Sequence, residues 1–266
     1  MSNISFNIDK KFIKLDNYRL NLFRKIKNLL LSIEDSLSKE HSCILCDREM
    51  PDGSKFQICE KCLNNMQKIK EPFCSKCCET LESDNLNCSF CKSFNYAFNS
   101  NRSIFYYDDN SSKIIKRLKY NQRKYYAKFI ARMMTEDKSV FEKIDMITFV
   151  PISSKRKKER GFNQAEEIAK EISKIVGIET VELLEKVKDN KTQASLSQKE
   201  RLENLKGTFE IKAGLEDKIK GKNVLIIDDV FTTGATLNEC SAVLKMAKPK
   251  RVRTLTFAKT RLFSIN

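Results

Sequence analysis

Short apolar blocks alternate with amphipathic blocks along the second half of the chain. Apolar residues at positions 165–176 recur every three or four places and stop at Gly177, which predicts a helix ended by glycine. Another helix is predicted to begin near Asp109 or Ser111, two favourable N-cap residues. Strands that alternate with helices predict an α/β fold with a doubly wound, mainly parallel sheet. The apolar blocks that have the length of a buried strand are residues 103–107, 145–151, 180–185, 208–211, 224–227 and 252–258.

The pattern divides the chain into three regions. Residues 97–266 carry the alternating strands and helices, whereas residues 42–96 carry four cysteine pairs and almost no apolar periodicity. Residues 1–41 form a basic leader with one helical pattern between Leu20 and Leu37. We expect this N-terminal helix to pack on the cysteine module, on the larger domain or on a partner; the alternative is a membrane surface.

Composition narrows the class of protein. Hydrophobic residues make up 41% of the 266-residue chain, which suffices for a packed core and argues against disorder. No apolar run reaches the roughly eighteen residues of a membrane span, and the first residues lack a secretory signal pattern. We therefore expect a cytoplasmic protein.

The net charge of +15 is concentrated in three basic stretches, residues 113–128, 153–160 and 241–266. The first stretch also contains Tyr120, Tyr125 and Tyr126. Basic residues interleaved with aromatic residues bind single-stranded nucleic acid through phosphate neutralisation and base stacking. The alternative is a lysine-rich surface that only keeps the protein soluble.

Eight of the ten cysteines form Cys-x-x-Cys pairs, which predicts metal rather than disulfides in a chain without a secretory signal. Two such turns supply the four thiolates of a structural zinc site, which has no open position for a substrate. We expect one or two zinc ions, held by consecutive or by interleaved pairs. Cys78 and Cys240 are interpreted as a bystander thiol and a core residue. The expected ligands are Cys43, Cys46, Cys59, Cys62, Cys74, Cys77, Cys88 and Cys91.

Residues 224–236 lead from a buried strand through two acids and a small polar loop into a helix. Asp228 and Asp229 are expected to accept hydrogen bonds from the vicinal hydroxyls of a ribose. The loop amides, the threonine hydroxyls and the helix N-terminus suit a phosphate group. Because ligands of such sheets bind outside the strand C-termini, a sugar-phosphate site is predicted there. Its loop residues are Thr232, Thr233, Gly234, Ala235 and Thr236.

Two polar segments are expected to complete this site. Residues 152–164 follow a predicted strand, and their cations suit the neutralisation of a pyrophosphate. Residues 186–204 are expected to form a lid that excludes water. A solvated basic loop is the alternative for both segments. The candidates are Ser153, Lys155, Arg156 and Arg160 in the first segment, and Lys186, Lys188, Gln193 and Arg201 in the lid.

Residues 224–236 resemble the signature of type I phosphoribosyltransferases, which bind phosphoribosyl pyrophosphate (PRPP). With the four cysteine pairs and Arg-Gly-Phe-Asn-Gln at 160–164, the chain resembles the bacterial ComF competence family from about Cys43 to Lys259. The resemblance implies a double zinc ribbon fused to a phosphoribosyltransferase domain, PRPP bound with Mg²⁺, a role in DNA uptake and a competence helicase as partner. Three positions depart from the family: Cys78 replaces a common glycine, Lys186 a usual arginine and Ser153 a frequent proline.

Two functions are consistent with these features. In the first, a transferase displaces pyrophosphate from ribose C1 with Mg²⁺, chiefly by positioning and electrostatic stabilisation. Asp228 and Asp229 then hold the ribose and, at most, assist the proton of the nucleophile. In the second, a non-enzymatic adaptor binds single-stranded DNA and partner proteins while keeping the PRPP fold. Neither the acceptor nor the oligomeric state follows from the sequence.

Overall fold

The structure is a computed structural model that describes residues 42–51, 57–82, 87–120, 123–188 and 205–261. The predicted N-terminal helix of residues 1–41 and the predicted lid residues Gln193 and Arg201 lie outside these ranges. Within them, no helix combines the length and the apolar character that crossing a membrane requires.

Four parallel strands form the central sheet, as the sequence predicted. Their order is β1 (Ser100–Tyr106), β6 (Arg251–Lys259), β5 (Asn223–Phe231) and β2 (Met146–Phe149). Residues 224–227 of β5 are all buried because helices cover both faces of the sheet.

The helices divide between the two faces, which makes the sheet doubly wound. On one face, α3 (Asp109–Tyr120), α4 (Arg123–Met134) and α6 (Gln164–Val176) pack against Leu225 and Ile227. On the other face, α8 (Ala235–Met246) packs against Val224 and Ile226. The other helices of the described residues are short: α1 (Glu60–Asn64), α2 (Ser89–Ser93), α5 (Ser154–Arg160) and α7 (Glu216–Ile219), with a 3₁₀ turn at Lys138–Phe141.

The predicted strands at residues 180–185 and 208–211 do not extend the parallel sheet. Residues 180–183 touch it at one parallel bridge, between Thr180 and Ile147, where the Val181 amide donates to the Ile147 carbonyl at 2.8 Å. Beyond that bridge, β3 (Leu184–Lys186) and β4 (Phe209–Ile211) form a separate antiparallel pair. Their buried side chains pack with α8, so the pair covers one flank of the cavity described below.

The two cysteine groups share their cores with the α/β region, as expected for segments too short to form a core of their own. The first group packs through Ile44 and Met66 in the cluster that contains α3 and α4. The second group packs with Tyr96, Phe98 and Phe231 in the cluster on the opposite face. The predicted boundary between residues 96 and 97 remains a prediction, and buried contacts cross it on both faces.

The first basic stretch has a structural role that its sequence did not predict. Arg117 Nη1 donates to the carbonyl of Ile44 at 2.7 Å and its guanidinium lies 3.5 Å from Asp47, so this cation holds the first cysteine group on α3. Tyr125 and Tyr126 are only 6% and 4% exposed. These two rings therefore pack in the core and cannot serve as stacking platforms for bases.

Candidate functional site

The candidate site forms where β5 extends beyond the end of β2. β2 ends at Phe149, opposite Ile227, whereas β5 continues beside β6 to Phe231. Asp228 and Asp229 therefore lie within a strand rather than at its end, because β6 continues to Lys259 and supplies hydrogen-bond partners. Past Ile227, β2 no longer covers its side of β5, which creates the crevice where doubly wound sheets bind ligands.

A cavity of about 230 Å³ occupies this crevice. It brings the acid pair together with cations from two other segments of the chain. The predicted residues among its lining are Arg156, Arg160, Lys186, Asp228, Asp229 and Thr236. Asn163 and Gln164 belong to the motif at residues 160–164 but were not predicted as site residues; both line the cavity, as does Phe209.

The acid pair is half-buried in this cavity. The backbone amide of Asp229 donates to Asp228 Oδ1 at 2.9 Å, which fixes the orientation of the Asp228 carboxylate. Two adjacent carboxylates beside two arginines form a site that accepts hydrogen bonds from hydroxyl groups and also attracts anions.

The cations of residues 154–160 lie on helix α5 rather than in a loop. Lysine, arginine and glutamate favour helix, and the Ser153 hydroxyl caps it by accepting the Arg156 amide at 3.4 Å. A spacing of four places Arg156 and Arg160 on one face, which lines the cavity. Lys155 is exposed outside the lining and the Ser153 hydroxyl is engaged as a cap, so the structure does not bring these two to the cavity.

The threonine loop turns between β5 and α8 at the same edge of the sheet. Thr233 Oγ1 accepts the Ala235 amide at 3.3 Å, and the Thr232 carbonyl accepts the Thr260 hydroxyl at 3.2 Å. Gly234 adopts a left-handed conformation with φ of 74° as the N-cap of α8. Thr236, in the first turn of α8, is the loop residue that reaches the cavity.

Among the predicted lid residues, Lys186 lies at the end of β3 with its ammonium 5.9 Å from the centre of the Phe209 ring. Lys188 is exposed next to Gly207 and does not line the cavity.

The threonine loop rests on an aromatic cluster that was not predicted from the sequence. Tyr96 Oη donates to the Thr233 carbonyl at 2.9 Å, and its ring stacks on Phe98 at 4.7 Å and meets Phe231 edge-on at 6.1 Å. Burial raises the pKa of Tyr96, so the phenol keeps its proton for this hydrogen bond. The alternating aromatic residues at positions 94–98, soon after the last cysteine pair, could have indicated this cluster.

The close fit of this cluster around Gly234 gives a testable consequence. In Gly234→Ala, the new Cβ would lie 2.5 Å and 2.8 Å from atoms of the Phe231 ring and 2.9 Å from Tyr96. We expect an overpacking cost of about 1–3 kcal/mol in unfolding free energy, added to about 1–2 kcal/mol for the left-handed backbone. Gly177→Ala is the matched control, because Gly177 has φ of 72° and nothing within 4 Å. Equal losses for the two variants in urea unfolding would contradict the close packing of the loop.

The eight paired cysteines form two separate four-sulfur groups made from consecutive pairs. Cys43, Cys46, Cys59 and Cys62 form one group, and Cys74, Cys77, Cys88 and Cys91 form the other, with the sulfurs of each group within 4.8 Å of one another. The Sγ atoms of Cys46 and Cys59 are 3.8 Å apart, and those of Cys77 and Cys88 are 3.7 Å apart. A tetrahedral zinc with bonds of about 2.3 Å needs sulfur separations of about 3.8 Å. Both groups fit a metal ion with four thiolate ligands, and the interleaved alternative does not occur.

The two groups repeat the same backbone turn. The Asp47 amide donates to the Cys43 carbonyl at 2.9 Å, and the Cys78 amide donates to the Cys74 carbonyl at 2.8 Å. Asp47 and Cys78 follow the turn with φ of 57° and 61°, in the left-handed region that favours glycine. This conformation explains why a glycine suits the position of Cys78. The Cys78 sulfur accepts the Ser103 amide at 3.3 Å and is not a member of the four-sulfur group.

Backbone amides stabilise the thiolate form of these sulfurs. The Cys59 amide donates to Cys43 Sγ, and the Cys91 amide to Cys88 Sγ, both at 3.4 Å. Burial raises the pKa of Cys43, but the backbone hydrogen bonds from Cys59, Cys46 and Leu45 outweigh it and lower the pKa to about 7. The groups differ in access, because all four sulfur residues of the second are buried while Cys46 in the first is exposed.

Several known proteins are similar to this chain. Residues 158–261 match the family described as Phosphoribosyl transferase domain. The chain is 29% identical over 233 residues to Competence protein ComFC of Streptococcus pneumoniae, covering 82% of this chain and 99% of that protein. It is 27% identical over 210 residues to Competence protein F of Haemophilus influenzae, covering 76% and 90%. Among solved structures, a hypoxanthine phosphoribosyltransferase from Staphylococcus aureus aligns with a TM-score of 0.35 and 15% identity, covering 53% of this chain and 68% of that chain.

Proposed function

Since the chain belongs to the ComF family, we propose that it is a PRPP-binding, phosphoribosyltransferase-like protein that acts in DNA uptake. The relatives named as competence proteins support the association with natural transformation. The proposal that the protein binds PRPP rests on the cavity between β2 and β5, which is lined by two carboxylates, two arginines and a threonine of the α8 N-terminus. The competence helicase stays a proposed partner that rests on the family resemblance alone.

Each segment around the cavity has a role in this proposal. Asp228 and Asp229 accept hydrogen bonds from the two ribose hydroxyls. The loop of residues 232–236 and the N-terminus of α8 bind the 5′-phosphate. Arg156 and Arg160 bind the pyrophosphate through their paired N–H groups, and Lys186 adds a point charge beside them.

The proposed reaction is a displacement at ribose C1. The bond from C1 to the pyrophosphate oxygen breaks and its electron pair leaves with pyrophosphate. A bond from the acceptor to C1 forms, and the proton of the acceptor passes to Asp228, Asp229 or solvent. The residues named above orient the ribose and stabilise the separating charges, which is the main form of catalysis available to a cavity whose described lining contains no histidine. The two carboxylates also fit Mg²⁺, which takes oxygen ligands and, bound with PRPP, would supply charge neutralisation at the pyrophosphate.

We further propose that each four-cysteine group holds one structural zinc ion. Four thiolates around one cation leave no position for a substrate, so the role assigned to both ions is stability.

Calorimetric titration of the full chain with PRPP and Mg²⁺ tests the binding proposal directly. We expect saturable binding of one PRPP per chain, and pyrophosphate release when a suitable acceptor is present. A panel of bases, amines and single-stranded DNA would identify that acceptor. Absence of any PRPP binding by the metal-loaded protein would contradict the proposed function.

Binding of single-stranded DNA is a second candidate function, favoured by a basic patch at the strand N-termini, opposite the cavity. The loops that precede β5 and β6 are joined there by hydrogen bonds from Gly221 to Lys248 at 3.0 Å and from Lys250 to Lys222 at 2.8 Å. The Asn223 amide and the charges of Lys222 and Lys250 lower the pKa of Asp145 at the same edge. The basic patch consists of the exposed residues Lys218, Lys220, Lys222, Lys248, Lys250 and Arg251.

Salt dependence separates this patch from the basic stretch on α3. The binding constant for single-stranded DNA falls as salt rises, and each phosphate contact adds about 0.7 to the steepness of log K against log salt. Replacing Lys222, Lys248 and Lys250 by alanine should therefore make this slope shallower by about 2. Lys113→Ala with Lys116→Ala is the comparison, because both side chains are exposed on α3. Fluorescence anisotropy of a labelled oligonucleotide measures the slope. An unchanged slope in the triple variant contradicts a DNA site at the patch.

A further inference from the structure

Gln164 occupies a fixed place at the wall of the cavity. It is the first residue of α6, directly after the N-cap Asn163. Asn163 Nδ2 donates to the Val150 carbonyl at 2.9 Å, and Asn163 Oδ1 accepts the Ala165 amide at 3.1 Å. These two bonds tie the start of α6 to the end of β2, so the side chain of Gln164 is held against the crevice that contains the acid pair.

The side-chain amide of Gln164 is buried, and only its oxygen has a hydrogen-bond partner. The residue is 4% exposed, and Nε2 has no hydrogen-bond partner among the described residues. Arg160 Nη1 donates to Gln164 Oε1 at 3.4 Å. Because a guanidinium only donates, the carbonyl oxygen must face Arg160, and this leaves the two N–H bonds of Nε2 without an acceptor.

An unpartnered buried donor is costly and indicates a missing acceptor. The acceptor must be reachable from the cavity, where the nearby charges of Arg156 and Arg160 favour an anionic oxygen. The dipole of α6, whose N-terminal residues Gln164 and Ala165 line the same wall, favours the same charge. An oxyanion next to two arginines therefore fits the site better than a neutral carbonyl or hydroxyl.

We propose that Gln164 Nε2 donates a hydrogen bond to an oxygen of the pyrophosphate group of bound ligand, with Arg160 orienting the amide. This assignment rests on the proposed binding of PRPP and adds a neutral donor to the arginine pair. Gln164 is thus a ligand-binding residue for the diphosphate part of the ligand and has no direct role toward the ribose 5-phosphate part.

The Gln164→Met variant tests this assignment, since methionine keeps the length of the side chain and removes the donor. Calorimetry in Mg²⁺ with PRPP, pyrophosphate and ribose 5-phosphate separates the parts of the ligand. We expect the affinity for PRPP and for pyrophosphate to fall about tenfold or more, as for a lost hydrogen bond to a charged group, and the affinity for ribose 5-phosphate to stay unchanged. The melting temperature of the ligand-free protein should stay equal or rise, because the variant removes an unsatisfied buried donor. Gln67→Met is the control, an exposed amide outside the cavity.

Each alternative result has a definite meaning. Unchanged pyrophosphate affinity in Gln164→Met would overturn the assignment and indicate that water satisfies Nε2. Equal weakening toward ribose 5-phosphate together with a lower melting temperature would also overturn it, in favour of a packing role. Gln164→Glu provides a second variant, which should weaken pyrophosphate binding further because it places an anion at the same point. If the wild-type chain binds pyrophosphate through Gln164 but does not bind PRPP, the assignment stands and the proposed function fails. If it binds neither ligand, both fail.

Discussion

Replacing Asp228 and Asp229 together by alanine is expected to lower the affinity for PRPP by at least a hundredfold. Hydrogen bonds to charged groups contribute about 1.5–3 kcal/mol each, so the loss of two such bonds amounts to about 3–6 kcal/mol. Each 1.4 kcal/mol corresponds to about tenfold in the dissociation constant. The fold should survive, because both carboxylates are half-buried at the wall of a cavity and not in the core.

Two further variants make the test of the acid pair specific. Glu216→Ala with Asp217→Ala removes an adjacent pair of exposed acids outside the cavity, and its PRPP affinity should equal that of the wild type. Asp228→Asn keeps an oxygen that can accept the Asp229 amide, so it separates loss of charge from loss of local order. Calorimetry measures the affinities, and thermal unfolding without ligand checks the fold. A double alanine variant that binds PRPP as tightly as the wild type would rule out the assigned role of the acid pair.

The sequence predicted the parts of the fold that depend on local patterns. Residues 165–176 followed one helical period, and the structure has α6 from Gln164 to Val176. The central strands were predicted because apolar runs of four or more residues become buried when helices cover both faces of a sheet. The cysteine spacing allowed either consecutive or interleaved pairs, and the sulfur positions show that the pairs are consecutive.

Other features depend on contacts between distant parts of the chain and left little local signal. The strand of the acid pair continues to Phe231 only because β6 lies beside it. β3 and β4 pair with each other instead of joining the parallel sheet, although their sequences resemble its strands. The hydrogen bond from Tyr96 to Thr233 joins residues 137 positions apart. No pattern within either segment specifies such a contact, so the support of the threonine loop was not predictable.

The contact between Tyr96 and Thr233 connects the second cysteine group to the proposed phosphate loop. Cys91 lies five residues before Tyr96, and the two share a buried cluster with Phe231. The Ala97 amide also donates to Asn238 Oδ1 in α8 at 2.7 Å. A metal ion in the second group would therefore stabilise the segment on which the loop and the start of α8 rest, whereas the first group packs against α3 and α4 on the other face.

Loss of metal from the second cysteine group should consequently weaken PRPP binding, while loss from the first should not. Structural zinc contributes an apparent free energy of about 10–16 kcal/mol, comparable to the whole stability of a domain, so its removal unfolds the segment that it holds. We expect Cys77→Ser to reduce the zinc content from two ions per chain to one and to weaken PRPP binding at least tenfold. Cys46→Ser should remove the other ion with little change in PRPP affinity.

Cys78→Ser is the matched control, because this neighbouring cysteine lies outside the group and serine can accept the same Ser103 amide. Metal analysis and calorimetry give the two readouts, and equal loss of PRPP affinity in the Cys46 and Cys77 variants would contradict the connection through Tyr96.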